Sequence, residues 1–451
     1  MASLRVLAMD HYFDQDLRSL EADPRVDVRR FPYQRLRRTA LRMMGGAVAT
    51  GLQAYNRPEV ADARARYARW LNREVRRLYL ERSFDVIVLP SDTFFYVRTL
   101  PQAAHALGIP VVVVQKETTI SRDTMTQHSL EMREQARFIS DFMTVCSEVQ
   151  REFWMRAGAD GDLIGVTGQP RFDAYAEPRP RAVSQRKRVL FLSYFLDAYV
   201  PGVGRGRGLR IWEPLRTATE SALIDAVRRG ACDLVVKCHP QQPHRAEVAR
   251  YARLAGTSWN VGVSVAGVDA DTRDLILASD IVVGFQTTAL YESVAARKRT
   301  IYAAWGAEYQ RYQSGLIPFH TAPQSCLNHA DSATSLSAIL DDDQPPERAQ
   351  CAPWYEQAIG RIDGDATDRV VERLATVAAA WPATDERRVV ERSRRQFAVS
   401  LLARSVAAAT LWTAAMPVAV VAGERRRVGV RLRRAHEARS MAIASLRREN
   451  R

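Results

Sequence analysis

Asp280-Ile281-Val282-Val283-Gly284-Phe285-Gln286-Thr287-Thr288-Ala289-Leu290-Tyr291-Glu292 reads as a strand, a turn and the start of a helix. The apolar run 281–283 is short and bounded, as a buried parallel strand is, and Gly284 closes it. Gln286, Thr287 and Thr288 form a polar turn, after which Leu290, Glu292 and Val294 continue as a helix. Free N–H groups and the positive end of the helix dipole at such a turn suit phosphate. Glu292 lies about one helical turn after Thr288, so its carboxylate is expected to face the same pocket and accept from ribose hydroxyls. A plain Thr-capped helix in an α/β domain accounts for the same residues equally well.

A second strand upstream shifts that balance. Leu234-Val235-Val236-Lys237-Cys238-His239-Pro240 places His239 at a strand's carboxyl end, where open α/β sheets bind ligands. Pro240 stops the ladder and fixes the turn. Lys237, two residues before His239, lies on the same strand face and adds positive charge.

The two segments, in this order and spacing, resemble the donor domain of GT-B glycosyltransferases. In particular they are similar to the CDP-glycerol glycerophosphotransferases, polysialyltransferases and related capsule-polysaccharide enzymes. That resemblance implies that His239-Pro240 and Thr287-Thr288 hold the phosphates of a nucleotide-activated donor, with Lys237, Gly284, Gln286 and Glu292 around them. Two further segments agree with it: Val166-Thr167-Gly168-Gln169-Pro170-Arg171-Phe172-Asp173 and Asp363-Gly364-Asp365-Ala366-Thr367-Asp368-Arg369-Val370. The resemblance spans residues 80–375.

The chain has 451 residues, enough for two or three domains, and its 47% hydrophobic and 26% charged content is that of a globular protein. A net charge of +14 would normally point to nucleic acid or an anionic membrane. Lysine occurs only at Lys116, Lys187, Lys237 and Lys298, so nearly all the basic residues are arginine, an imbalance that a GC-rich genome would produce. Residues 385–451 carry sixteen arginines against six acidic residues, so most of the excess sits at one end. That speaks against a nucleic-acid partner and for a basic tail. Five cysteines with no CxxC suggest neither a disulfide framework nor a zinc site, as in a reducing cytosol. The first residues read as a strand and lack the apolar core of a signal peptide.

Buried strands are expected at 5–9, 84–89, 111–114, 142–145, 163–166, 188–193, 234–238, 261–265, 280–284 and 300–303. Helical stretches alternate with them, which implies doubly wound sheets. The expected architecture is two Rossmann-like α/β domains facing across a cleft, with a helical C-terminal tail. Residues 1–173 form the N-terminal acceptor domain, 174–188 a polar, Pro-containing linker, 189–382 the nucleotide-donor domain and 383–451 the tail. The glycine-rich run 201–208 reads as a lid or surface loop, because a dinucleotide fingerprint needs a preceding strand in register. The aromatic stretch 305–319 either covers the donor base or simply packs. Segment 363–370 begins a long helix near the domain hinge.

Residues 405–423 carry no charge and are flanked by arginines on both sides. The run is alanine-rich, interrupted by Pro417 and marginal as a span, so an interfacial helix on anionic lipid suits it better than a crossing. A helix packed on the protein itself is the alternative. The expected partners are therefore a nucleotide-linked donor, a lipid-linked or polymer hydroxyl acceptor, and an anionic membrane surface met by residues 392–451. The expected location is cytoplasmic, at the inner face of the cell membrane.

The resemblance implies a metal-independent transfer of a sugar or polyol phosphate in cell-envelope polysaccharide or glycolipid synthesis. It also implies no cofactor beyond the donor itself. His239 would donate to the leaving phosphate, and the acceptor-side base is open. Relatives carry His-Gly after the strand that corresponds to 111–114, whereas this chain has Lys116-Glu117. Glu117 is the first candidate base, with Asp92, His11 and Asp10, which also end strands, behind it. Two rival readings share the fold: a non-hydrolysing UDP-sugar 2-epimerase, and an inactive scaffold recruited to a membrane complex.

Overall fold

In the computed structural model, residues 3–11, 13–116, 125–177, 186–196, 210–240, 242–267, 269–341 and 346–392 are described. Glu117, most of the linker, the glycine-rich loop and the tail beyond residue 392 lie outside the described residues.

Valine and isoleucine runs such as Val111–Val114 and Ile281–Gly284 are buried on both faces, which only a parallel sheet covered by helices permits. The first sheet holds β1 (Leu4–Met9), β2 (Val26–Phe31), β3 (Val86–Leu89), β4 (Val111–Val114), β5 (Phe142–Val145) and β6 (Ile164–Val166). Its spatial order is β2-β1-β3-β4-β5-β6, all parallel. The second holds β7 (Lys187–Leu192), β8 (Cys232–Lys237), β9 (Val263–Val265), β10 (Ile281–Gly284), β11 (Arg299–Ala303) and β12 (Asn328–Ala330). Its order is β12-β11-β10-β7-β8-β9, again all parallel, which is the doubly wound Rossmann order. Two Rossmann-like α/β domains are therefore present.

The period-2 alternation of each strand feeds two cores in the first sheet. Leu7, Met9, Ile87, Leu89, Val111 and Val113 point to one face, where Leu36, Tyr67, Leu71 and Val75 cover them. Val6, Ala8, Val86, Val88, Val112 and Val114 point to the other, against Phe13, Leu17 and Leu20. Val370, Val371 and Leu374 share that second face. They belong to the helix Ala366–Ala380, so the chain crosses back after the second sheet and helps to close the core of the first.

The two further sequence segments meet at this crossing. Asp173 accepts from the backbone N–H groups of Ala366 (2.9 Å) and Thr367 (2.7 Å), satisfying the first turn of the helix that crosses back. Arg369 donates to the Thr167 carbonyl (2.8 Å) and, through both terminal nitrogens, to Asp363 (2.9 Å each). Gly168 has φ +78°, and a Cβ there would stand 2.9 Å from that of Ala366. These segments therefore clasp the domains together, and 363–370 leads into a long helix at the domain joint.

One expectation about cysteine is corrected. Cys326 and Cys351 form a disulfide, tying the loop before β12 to the helix Arg348–Ile359. Cys146, Cys232 and Cys238 are buried thiols. No described helix is long and apolar enough to cross a membrane.

Candidate functional site

The second sheet reverses its winding between β7 and β10, and ligands of open α/β sheets bind outside the carboxyl ends at such a switch point. Register puts Gly284 beside Leu192 and Leu192 beside Lys237. Two strand spacings separate the outer pair, roughly 9.5 Å. The turns that leave this row carry Thr287 and Thr288 on one side, Ser193 in the middle and His239-Pro240 on the other. The two stretches singled out in the sequence thus flank one crevice.

Each turn is held by a local device. A Cβ on Gly284 would press on the side chains of Leu290 and Thr287, both at 3.1 Å, so glycine lets the turn fold tightly over the strand end. Gln286 has φ +40°, a left-handed conformation that costs a non-glycine residue about 1–2 kcal/mol. Its amide offsets that strain by donating to Tyr302 Oη (2.8 Å) and the Ile317 carbonyl (3.2 Å) and accepting from Ile317 N (2.8 Å). The Gln286 side chain therefore locks the aromatic loop to the turn. In that loop Tyr309, Leu316 and Phe319 are buried in the domain core, so packing accounts for most of the stretch.

Thr288 stands at the N-cap of the helix Ala289–Ala295 and makes no side-chain cap bond. Thr287 takes that role, its hydroxyl oxygen accepting from Ala289 N (3.4 Å), so a plain Thr-capped helix still accounts for part of the turn. The helix has only 7 residues, too few to carry a strong macrodipole, so positive charge at the crevice falls to side chains.

His239 is exposed at the crevice, and Lys237 is half-buried beneath it. Desolvation first, and then the charge of Lys237, lower the His239 pKa. An incoming phosphate would reverse that shift, since a nearby anion favours imidazolium.

Sequence reasoning missed the residues that position His239. The Gln242 amide oxygen accepts from His239 N (2.5 Å), and its nitrogen donates to Ser193 Oγ (3.1 Å). Gln242 thereby ties the β8 turn to the β7 turn. Arg216, buried nearby, donates to the Tyr194 carbonyl (3.2 Å) and pairs with Glu220 and Glu247. A glutamine three residues after His239 was the one available signal. Its partner, Ser193, lies 49 residues away.

Glu292 is placed differently from the expectation. Its carboxylate is buried and accepts from Tyr175 Oη (2.8 Å), a residue of the segment that joins the domains. Burial raises its pKa, Arg171 and Tyr175 oppose that rise, and Asp16 and Asp271 add to it. Around it Gln15 donates to Asp271, and Arg171 pairs with Asp16 (3.1 Å). Gln15 follows the carboxyl end of β1, and Asp271 follows that of β9. Those edges of the two sheets therefore face one another.

No family model matches the chain. No curated protein matches it either. Among solved structures it is similar to the UDP-GlcNAc 2-epimerase of Methanocaldococcus jannaschii, with 13% identity and a TM-score of 0.48 over 83% of this chain and 99% of that one. The UDP-GlcNAc 2-epimerase of Neisseria meningitidis, bound to UDP-GlcNAc, gives 12%, 0.45, 83% and 100% in the same order. The wall teichoic acid polymerase TagF, in a crystal soaked with CDPG, gives 10%, 0.47, 84% and 89%. At such values the fold rests on the strand order itself.

In the first domain the switch point lies between β1 and β3. His11 follows β1 there and packs against Tyr33 (centroids 3.9 Å apart), Phe94 (4.7 Å) and Tyr96 (6.1 Å). Burial, then Lys116 and Arg37, lower its pKa to about 4, so the ring is neutral at pH 7. Asp92 is turned inward and accepts from Ile139 N (2.8 Å), Ser140 N and Ser140 Oγ (3.1 Å each). Burial raises its pKa, and the bonds from Ile139 and the charge of Arg98 oppose that. Asp10 accepts from Tyr33 N (2.9 Å), fixing the start of the helix Tyr33–Met44. Of these three, His11 stands at the crevice. Among the described residues no group of three or more His, Cys, Asp or Glu forms a candidate metal site.

The His11 environment has a consequence for stability. Above pH 6.5 both folded and unfolded states hold a neutral ring. Between pH 6.5 and 4 the unfolded chain takes up a proton that the folded state refuses, so stability falls as pH falls. The full window is worth about 3 kcal/mol at 1.36 kcal/mol per unit. His11→Phe is expected to flatten this dependence in urea unfolding at pH 7.5 and 4.5. An unchanged slope in the variant would refute the assignment.

Proposed function

We propose that the chain is a GT-B transferase. It would pass a sugar, or a polyol phosphate, from a nucleotide-activated donor to a hydroxyl of a cell-envelope polysaccharide or glycolipid acceptor. The observation that carries this reading is the row Gly284–Leu192–Lys237 at the switch point of the second sheet. It sets Lys237, at the end of β8, and the imidazole of His239 opposite a hydroxyl turn, Thr287 and Thr288. A diphosphate needs charge and hydrogen-bond donors converging from two sides. Lys237 and His239 would take up charge on the leaving phosphate, without a requirement for a metal ion. Gln286 and Pro240 would shape the turns, and Glu292 would act at the domain junction more than on ribose.

On the acceptor side the first domain offers the neutral His11 at its crevice, with Lys116 near it. His11 would take the hydroxyl proton in this reading, and Glu117 remains the sequence-based candidate for the same step. The basic tail would hold the enzyme at an anionic membrane.

The test uses calorimetry with UDP and CDP, followed by donor turnover with and without acceptor. His239→Ala and Thr288→Val are each expected to weaken nucleotide binding by about 1.5–3 kcal/mol, with melting temperature unchanged. Affinity is expected to rise as pH falls in the wild type, since bound phosphate draws a proton onto His239, and to lose that dependence in His239→Ala. Unaltered affinity in both variants removes the donor site. Donor rearranged without any acceptor favours epimerisation, and nucleotide bound without turnover favours the scaffold.

A further inference from the structure

We propose that an open groove on the N-terminal domain, between the helices Ala61–Glu81 and Leu100–His105, binds the phosphate of an anionic lipid headgroup. The groove has a volume of about 340 Å³ and is lined by Arg69, Asn72, Arg73, Thr99 and Gln102. That is the size of a small-ligand pocket. Ala68 and Ala103 complete the lining, which thus combines two guanidinium groups, three uncharged polar side chains and a small apolar floor, with no acidic side chain.

Arg66, Arg69 and Arg73 are exposed along one face of a single helix. Other arginines of this helix are matched: Arg76 with Glu386, and Arg77 with Glu74 and Glu81. Among the described residues Arg69 and Arg73 have no ion pair, and the positions three and four residues away hold Ala65, Arg66, Trp70, Asn72, Arg76 and Arg77. Like charges one turn apart oppose the helix, and a bound anion would relieve that. The Thr99 hydroxyl, at the groove's other wall, is buried without a hydrogen-bond partner. An oxyanion seated between the walls would accept from both guanidinium groups.

The row favours a lipid surface over a single dissolved ion. Arg66 to Arg73 spans seven residues, roughly 10 Å along the helix, which is wider than one phosphate. The same helix turns Tyr67 inward, where its hydroxyl donates to the Tyr96 carbonyl (2.7 Å) beside His11. A headgroup in the groove would thus hold the first domain's crevice next to the membrane. That link to a lipid-linked acceptor rests on the proposed function; lipid binding itself does not.

The experiment uses the full chain, arginine modification by phenylglyoxal and peptide mass spectrometry, which reads each arginine apart from those of the tail. Probes are dihexanoyl phosphatidylglycerol, dihexanoyl phosphatidylcholine and inorganic phosphate. The anionic lipid at ten times its dissociation constant is expected to slow modification of Arg69 and Arg73 about tenfold. Exposed Arg253 on the other domain should be unaffected. An Arg69→Gln/Arg73→Gln variant should bind that lipid at least about tenfold more weakly while keeping its melting temperature and its turnover of a soluble acceptor. Equal protection by inorganic phosphate would overturn the lipid in favour of a free anion. Equal protection by phosphatidylcholine, or none by any probe, would overturn the site.

Discussion

Replacing Arg216 by methionine is expected to destabilise the C-terminal domain by about 3–5 kcal/mol, the usual effect of breaking a buried ion pair from one side. The Arg216 side chain is 3% exposed and its partners Glu220 and Glu247 are 2% and 12% exposed. Methionine would fill much of the space but leave the Glu247 carboxylate with only Arg250 at 3.6 Å. It would also remove the donor from the Tyr194 carbonyl, which steadies the turn after β7. Ser193 in that turn holds Gln242, and Gln242 holds His239, so nucleotide affinity should fall along with stability. Urea unfolding at unchanged slope would report the loss as a shifted midpoint. Adding Glu220→Gln and Glu247→Gln should restore most of it, because no buried charge is then left unpaired. A single variant within 1 kcal/mol of wild type would show that the cluster adds nothing, since surface changes commonly stay within about 0.5 kcal/mol.

The same cluster shows where sequence reading stops. Strands buried on both faces announce themselves, as Val111–Val114 does, because nothing polar can sit there. Both strands that escaped, Val26–Phe31 and Asn328–Ala330, are sheet edges. An edge keeps one side in water, so Asp27, Arg29 and Arg30 interrupt the apolar run that would mark it.

The crevice of the second sheet was legible at its strand ends, where Gly284 and His239-Pro240 punctuate the chain. Its support was not. Gln242, Ser193 and Arg216 act through contacts that exist only after the sheet has formed. Glu292 was assigned by helical spacing alone, and spacing cannot reveal that Tyr175, 117 residues away, takes its carboxylate. The Cys326–Cys351 pair fails for a similar reason, since two cysteines 25 positions apart with no motif between them carry no pairing signal. The two segments now seen as a clasp were legible as unusual, but their role needed the crossing of the helix Ala366–Ala380 onto the first sheet.

That crossing turns on Gly360, and Gly360→Ala is expected to be the most damaging glycine-to-alanine change among the described residues. Gly360 ends the helix Arg348–Ile359 with φ +80°, and a Cβ there would overlap the backbone carbonyl oxygen of Cys146, just beyond β5. The left-handed backbone costs alanine about 1–2 kcal/mol by itself. Overlap with a main-chain atom cannot be relieved by a rotamer change, so the joint between the domains must shift. A total of about 4 kcal/mol or more is expected, in the range reserved for strain at a special backbone position.

Gly230→Ala separates the two contributions. Gly230 also ends a helix, with φ +78°, but has nothing within 4 Å of a Cβ. It should lose only the conformational part, about 1–2 kcal/mol. The difference between the two variants in urea unfolding then measures how tightly the crossing segment is pressed against the first domain. Equal losses would mean that the joint at Cys146 yields freely. The joint would then depend on the Asp173 clasp, the Tyr175–Glu292 and Gln15–Asp271 contacts and the packing of Val370, Val371 and Leu374.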